Sequence, residues 1–487
     1  MTGPVPYAFA RDHNLVVLED GETCLMTDKT PVAAVIEAQR YQSNLLRLRK
    51  VSSTVLADHI EKQYRDSAHD AAGAAASADA EGVDLAELAN SAAAVDDLLD
   101  QRNDAPVVRL INALLLEAIR ENASDVHIEV EEKRLVVRFR IDGVMREVLE
   151  PSRALAPLLS SRIKVMGRLD ISEKRIPQDG RVSLRVGEYE LDVRISTLPA
   201  QYGERVVLRL LDRGQTRAGV SSLGMRRQAR DAFKRILHRP DGIVLVTGPT
   251  GSGKTTTLYA ALDALNDRQR NIMTIEDPIE YALAGVGQMQ VNAATELTFA
   301  RGLRAILRQD PDVIMVGEIR DGETARIAVE SAMTGHLVLS TLHTNTAVGS
   351  IARLVDLGVQ RFLLAPMVRG LVAQRLVRRI CPGCSAPRAL TPAEATSLGA
   401  SGDEVTHQGA GCSACAQSGY RGRVALYEVI EGTGELERGI VDGLSEAQLV
   451  TIARKTSHGL IDDGMDKIRA GLTTPQEVLR VAYESGA

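Results

Sequence analysis

Apolar residues recur along this chain with different rhythms, and the changes of rhythm mark its parts. Over residues 105–121, Val108, Ile111, Leu115, Ala118 and Ile119 fall on one stripe, which predicts an amphipathic helix. Short alternating runs follow at 125–130, 134–141 and 144–149, with Asp142-Gly143 between the last two. They predict half-buried strands and a tight hairpin. A helix over 154–168 and strands at 182–186, 190–197 and 204–211 complete an α+β domain expected over 101–225. Beyond it the apolar runs become unbroken. Segments 243–246, 271–276, 312–317 and 337–342 read as strands of a parallel sheet covered on both faces, with helices between them. After Gly422 the chain reads as one short strand and several helices, with Thr473-Thr474-Pro475 as a helix start.

The amino-terminal part is different. Residues 1–66 carry Leu15, Val16, Val17, Leu18, Val32, Val35 and Ile36 amid mixed charge, as in a small α/β module; with no catalytic constellation, it is expected to be a docking domain. Residues 67–100 are rich in Ala, Ser, Asp and Gly and hold no aromatic. Such a composition buries too little surface to order itself and predicts a flexible linker.

Length and charge narrow the picture. The 487 residues carry 58 Lys and Arg against 64 Asp and Glu, a net charge of −6, with 3% aromatics. That leaves little surface for neutralising or stacking on nucleic acid, so no direct nucleic-acid partner is expected. No run reaches the roughly 18 apolar residues of a membrane helix, and the first residues lack a signal-peptide core. The expectation is a cytoplasmic chain that meets a membrane only through partners.

The chemistry gathers after the first buried strand. Gly248-Pro249-Thr250-Gly251-Ser252-Gly253-Lys254-Thr255-Thr256 fits the phosphate-binding loop pattern in its required strand-to-helix setting. The glycines let backbone N–H groups wrap an anion, Lys254 would reach the β- and γ-phosphates, and Thr255 would offer a hydroxyl to Mg²⁺. In a parallel sheet, ligands bind beyond the carboxyl ends of the strands. The other strands end at Glu276-Asp277, Glu318 and His343, so these groups should converge on the loop. Glu318 is the candidate for orienting the attacking water. Gly317 stands where many such proteins carry Asp, so Glu276 is expected to share the work. His336 and His343 bracket one strand at roughly 23 Å. His343 is placed on the γ-phosphate side, while His336 is left as structural or as a contact to a neighbouring domain and is kept among the catalytic candidates. Arg301, Arg304 and Arg308 recur on one expected helix face, and Arg320 joins them. Arg175, Arg181, Arg194, Arg205 and Arg209 crowd the preceding domain, and guanidinium forks suit phosphates.

Cys381-Pro382-Gly383-Cys384 and Cys412-Ser413-Ala414-Cys415, with 27 residues between the pairs, form a structural zinc signature; the long spacer predicts an inserted subdomain at about 378–422. Cys24 is left over as a small core residue.

With these pieces in place the chain resembles the secretion ATPase superfamily and, within it, the assembly ATPases of type II secretion systems, the general secretion pathway protein E family. The resemblance rests on Gly248 to Thr256, the acidic box Thr274-Ile-Glu-Asp-Pro-Ile-Glu280, the Gly317-Glu318 ending, Thr334-Gly-His336, Leu342-His-Thr-Asn345 and the four cysteines. Glu173 to Arg181, Ser124 to Ile128 and Pro6 to Ala10 are also similar. It implies a multidomain α/β protein: a RecA-like P-loop ATPase core over 226–487 with a preceding α+β domain, an amino-terminal docking module and a zinc subdomain. It further implies a homo-hexamer that hydrolyses ATP with Mg²⁺, with Arg194, Arg209, Arg304, Arg308 and Arg320 around the phosphates. The amino-terminal domain would dock on an inner-membrane platform protein, leaving the enzyme peripheral to that membrane. Pilus-extension ATPases share every core motif and are the alternative. An ATP-gated scaffold with negligible turnover is the alternative of another class.

Overall fold

In the computed structural model of this chain, residues 13–18, 20, 22–40, 46–53, 55–56, 59, 85, 105–186, 189–212, 219–401 and 404–483 are described. The expected linker, Leu85 aside, and Pro6 to Ala10 lie outside them. The chain divides into two compact units, residues 1–139 with 145–212, and residues 140–144 with 213–487.

In the first unit the amino-terminal apolar runs pair into a three-stranded sheet, β1 (Leu15–Val17), β2 (Thr23–Met26) and β3 (Arg47–Lys50), in that order. The helix Val32–Arg40 closes over it through Ala34 and Ala38, which pack with Leu15, Val17 and Cys24. Burial pushes the Cys24 thiol up to about 11, which suits a packing residue rather than a reactive one.

The same unit holds a six-stranded sheet built from β4 (Ala123–Val130), β5 (Leu135–Ile141), β6 (Val144–Leu149), β7 (Gln178–Val186), β8 (Tyr189–Ala200) and β9 (Gly203–Asp212). Its order is β6-β5-β4-β9-β8-β7. Asp142 and Gly143 take φ of 49° and 86°, the doubly positive geometry of a two-residue hairpin turn. The helices Ala105–Arg120 and Ala156–Met166 bury Leu110, Ile111, Leu115, Leu159 and Ile163. Strand pleating sends Leu191, Val193 and Ile195 into the core and the intervening side chains to the other face. There Arg181, Arg194, Arg209 and Asp125 stand directly opposite one another across four neighbouring strands.

The second unit is organised by β10 (Gly242–Thr247), β11 (Ile272–Glu276), β12 (Gly287–Gln290), β13 (Val313–Val316), β14 (Leu337–Leu342) and β15 (Val368–Ile380). A two-stranded ribbon, β16 (Ser385–Ala389) and β17 (Val405–Gly409), precedes β18 (Tyr420–Glu431). The large sheet runs β12-β11-β13-β14-β10-β15-β18, parallel throughout except for β18 against β15. Alternation splits its core in two. Ile243, Leu245, Ile314 and Val338 pack to one face, and Val244, Val246, Met315 and Leu339 to the other. The one short strand expected after Gly422 is instead a strand of 12 residues paired with another of 13. The helix start at Thr473–Pro475 does open the helix Pro475–Tyr483. Among the described residues no helix is long and apolar enough to cross a membrane.

A buried carboxylate fastens the helix Leu460–Arg469 to this sheet. Asp463 accepts the Tyr427 backbone N–H at 2.8 Å and pairs with Lys467 one turn on; both side chains are buried. Asp463→Ala would take from the buried Lys467 ammonium its hydrogen-bonded counter-charge and leave only the Asp466 charge, at an expected cost of up to about 3–5 kcal/mol. The urea midpoint should fall accordingly; an unchanged midpoint would show the pair to be dispensable.

Candidate active site and metal centre

The loop after β10 has a shape that only glycine tolerates. Gly248, Gly251 and Gly253 take φ of 152°, 79° and 86°, a region L side chains rarely enter. A Cβ on Gly248 would stand 2.4 Å from the Gln374 carbonyl oxygen, and one on Gly253 would stand 2.8 Å from Gln374 Nε2. The loop therefore lies directly against β15. It opens into the helix Lys254–Leu265, whose amino terminus has no side-chain cap. The first N–H groups of a helix lack partners within it and suit an anion. Pro249, Thr250, Gly251, Thr255 and Thr256 are exposed around it, while Ser252 is buried. Lys254 folds back across the loop, its Nζ donating to the carbonyls of Gly248 at 2.8 Å and Pro249 at 3.1 Å. Burial lowers its ammonium to about 8, with the Arg375 charge adding to the shift and the Glu318 charge opposing it.

The neighbouring strand ends bring their groups to this lysine. Glu318, just beyond β13, is ion-paired with Arg320 and lies 3.5 Å from His343 Nε2. Arg320 also approaches Asp277 at 3.9 Å. Burial and then the Lys254 charge push the His343 imidazole below its ordinary value. Lys254, Glu318, Arg320 and His343 are thus one electrostatic cluster.

Other candidates lie elsewhere. Glu276 ends β11 but is buried, with both oxygens engaged by Tyr259, Thr274 (2.6 Å) and Gln288 (3.1 Å). His336 precedes β14, at the opposite end of that strand from His343, and its Nδ1 is 2.8 Å from the Ser331 carbonyl. The helix Phe299–Ile306 ends before Arg308, so the three arginines do not share one helix face. The stop is local: Asp310 has φ of 51° and Pro311 follows, neither compatible with a continuing helix. Arg308 Nη1 donates to the Arg304 carbonyl at 3.0 Å, and Arg304 pairs with Glu323 at 2.6 Å. Arg194 and Arg209 belong to the other unit, where Arg209 Nε donates to Asp125 at 2.9 Å.

Two residues escaped the sequence reading. Gln374 and Arg375 sit on β15 beneath the loop, and both are buried. Their signal is a Gln-Arg pair inside Leu371-Val-Ala-Gln-Arg-Leu-Val377. Polar side chains in a central strand need partners there.

The four cysteines meet at the far end of β15. Their sulfurs all lie within 4.8 Å of one another, with separations of 3.8 Å for Cys381 to Cys412 and for Cys384 to Cys415, and 3.6 Å for Cys412 to Cys415. A tetrahedron with Zn–S bonds of about 2.3 Å has sulfurs about 3.8 Å apart. The donor set and spacing therefore fit zinc, with every position taken by protein. Burial opposes ionisation of Cys415, but N–H donors from Cys412 and Gly419, together with the neighbouring Cys412 and Cys384 thiols, bring it down to about 6. The spacer between the pairs holds the ribbon and the helix Pro392–Leu398.

A glycine loop, its lysine and an acidic group are thus gathered at the ends of a parallel sheet in an α/β protein. The family described as Type II/IV secretion system protein matches residues 100–480, and the chain belongs to it. Residues 4–64 match a family of amino-terminal domains of GSPII protein E. Type II secretion system protein E of Pseudomonas aeruginosa is 53% identical over 99% of this chain and 96% of its own length. Type II secretion system ATPase E of Vibrio cholerae is 47% identical over 99% and 97%. Among solved structures, the pilus retraction motor PilT with bound ADP is 28% identical, with a TM-score of 0.52, covering 76% of this chain and 96% of that one.

Purified protein is expected to carry one zinc per chain by elemental analysis, and Cys412→Ser to lose it. Chelation should expose the ribbon to protease while the large sheet resists. Retention of metal by Cys412→Ser would remove this cysteine from the site.

Proposed function

We propose that this chain hydrolyses ATP as a homo-hexamer and so powers pseudopilus assembly and protein export by a type II secretion system. The reading is carried by one observation: Lys254, Glu318, Arg320 and His343 gather beside an uncapped helix terminus and a glycine loop. The relatives' names and the match of the amino-terminal domain support the cellular role. That domain would dock on an inner-membrane platform protein, leaving the enzyme cytoplasmic and peripheral to that membrane.

In this reading the loop from Gly248 to Thr256 takes the phosphates, and Lys254 leaves its loop carbonyls for the β- and γ-phosphates. Thr255 would hold Mg²⁺, which neutralises the phosphate oxygens when bound. Glu318 orients the attacking water, and Arg320 and His343 hold its carboxylate in place from two sides. Glu276 supports the site by fixing Tyr259 and Gln288, and His336 secures the far end of β14. Arg194, Arg209, Arg304 and Arg308 are the further phosphate ligands that the family resemblance suggests. Each would have to exchange a present partner for the anion. Zinc in the tetracysteine site is structural.

Glu318→Gln should keep nucleotide affinity and lose turnover by on the order of 10²-fold or more, as removal of a positioned base does. Phosphate release at the parent rate would take Glu318 out of catalysis and favour the scaffold reading only if parent turnover were itself negligible. Lys254 also sets a pH dependence. Its ammonium loses its proton near 8 in the free protein, whereas a bound polyphosphate would hold it charged. Binding should therefore take up a proton between about 8 and the ordinary lysine value, so affinity falls as pH rises through that window. Calorimetry in buffers of different ionisation enthalpy reads this uptake; none at pH 9 would contradict the role of Lys254.

A further inference from the structure

Register brings Gln374 and Arg375 to the place where the phosphate loop begins. β15 pairs in parallel with β10, with Thr247 opposite Ala373, so the next two residues of β15 lie level with Gly248. Successive side chains of a strand point to opposite faces. Gln374 turns towards the helix Lys254–Leu265, where its Oε1 accepts from the Thr257 hydroxyl at 2.7 Å. Arg375 turns the other way. It is 2% exposed; its Nη2 donates to the Asn345 carbonyl at 2.6 Å and its Nη1 to the Gln374 carbonyl at 3.1 Å. Its Nη1 also lies 3.2 Å from the place a Gly248 Cβ would occupy. One guanidinium thus touches the floor of the phosphate loop and the turn that follows His343.

We propose that Arg375 is a positioning residue for nucleotide binding and turnover, a buried clamp between the phosphate loop and the turn at His343–Asn345. This rests on the ATPase reading given above. The planar fork suits the task, because two carbonyls in different directions can be held at once, which a single ammonium cannot do. Its charge matters as well. A buried cation beside Lys254 is unfavourable in an empty site and becomes favourable once a polyphosphate arrives. The groups facing Lys254 are Glu318 from the end of β13, Arg375 from β15 and His343 from the end of β14, with Arg320 acting through Glu318. Of these, Arg375 pushes the lysine towards losing its proton.

Arg375→Met and Arg375→Lys in the full chain test this, with ADP and a slowly hydrolysed ATP analogue titrated from pH 7 to 10 alongside turnover. Arg375→Met should weaken nucleotide binding on the order of tenfold, the loss expected for charge-assisted bonds. It should also move to higher pH the point at which affinity begins to fall. Arg375→Lys should restore that pH point yet leave turnover about tenfold low, since its single head cannot hold both carbonyls. A merely structural arginine would leave the pH profile of a folded variant where the parent has it. A parent-like profile and affinity in folded Arg375→Met overturns the proposal; if that variant does not fold, parent-like turnover in Arg375→Lys does so. Failure of the parent protein itself to bind either nucleotide would instead overturn the ATPase reading on which this one stands.

Discussion

Everything at the site depends on β10 being flanked in parallel by β14 and β15. Parallel pairing in register puts the carboxyl ends of the strands at one edge, so the loop after Thr247, Glu318 after β13 and His343 after β14 need no long side chains to meet. The same pairing presses the loop onto β15 so closely that Gly248 and Gly253 have no room for a Cβ. Glycine is needed there for contact as much as for backbone freedom. A sheet slipped by one residue would send alternate side chains to the wrong core face and misplace every group at that edge.

Charge balance at this edge follows from the same geometry. Lys254 and Arg320 act on Glu318 and Arg375 acts on Lys254, with His343 held back from protonation by burial and by the lysine. The cluster therefore carries more positive than negative charge in a partly dry setting, where such charges act strongly on one another. The lysine meets the surplus by donating to two loop carbonyls. Those bonds are the ones an arriving anion would have to replace.

Much of this was legible in the sequence, for local reasons. The phosphate loop is a contiguous pattern, and Glu318 and His343 follow apolar runs whose ends can be counted. What was hidden depends on pairing between distant segments. β15 and β18 match Gly370 with Glu431, and the mixed polarity of Val368–Ile380 looks like neither a buried nor a half-buried strand. Gln374 and Arg375 were lost with it, since a buried polar residue looks exposed until its partners are known. Arg308 was misplaced for the opposite reason: the arginine spacing runs on past Ile306, but backbone geometry at Asp310 and Pro311 ends the helix. Glu276 was correctly placed at a strand end, and only the structure reveals Tyr259, Thr274 and Gln288 around it.

The position of the cysteines gives β15 a second role. From Arg375 to Cys381 the chain runs six residues, roughly 20 Å in extended form, from the glycine loop to the cysteine cluster. Its far end is held by Cys381, by the Ile380 N–H bond to the Leu472 carbonyl, and by Arg378 on buried Glu477. Pairing with β18 from Gly370 to Ile380 holds the strand on both sides of Arg375, so the carbonyl of Gln374 is kept in place beneath Gly248. The four cysteines, whose spacing fits a closed metal site, therefore stand at the far end of the same strand that lies against Gly248 and Gly253.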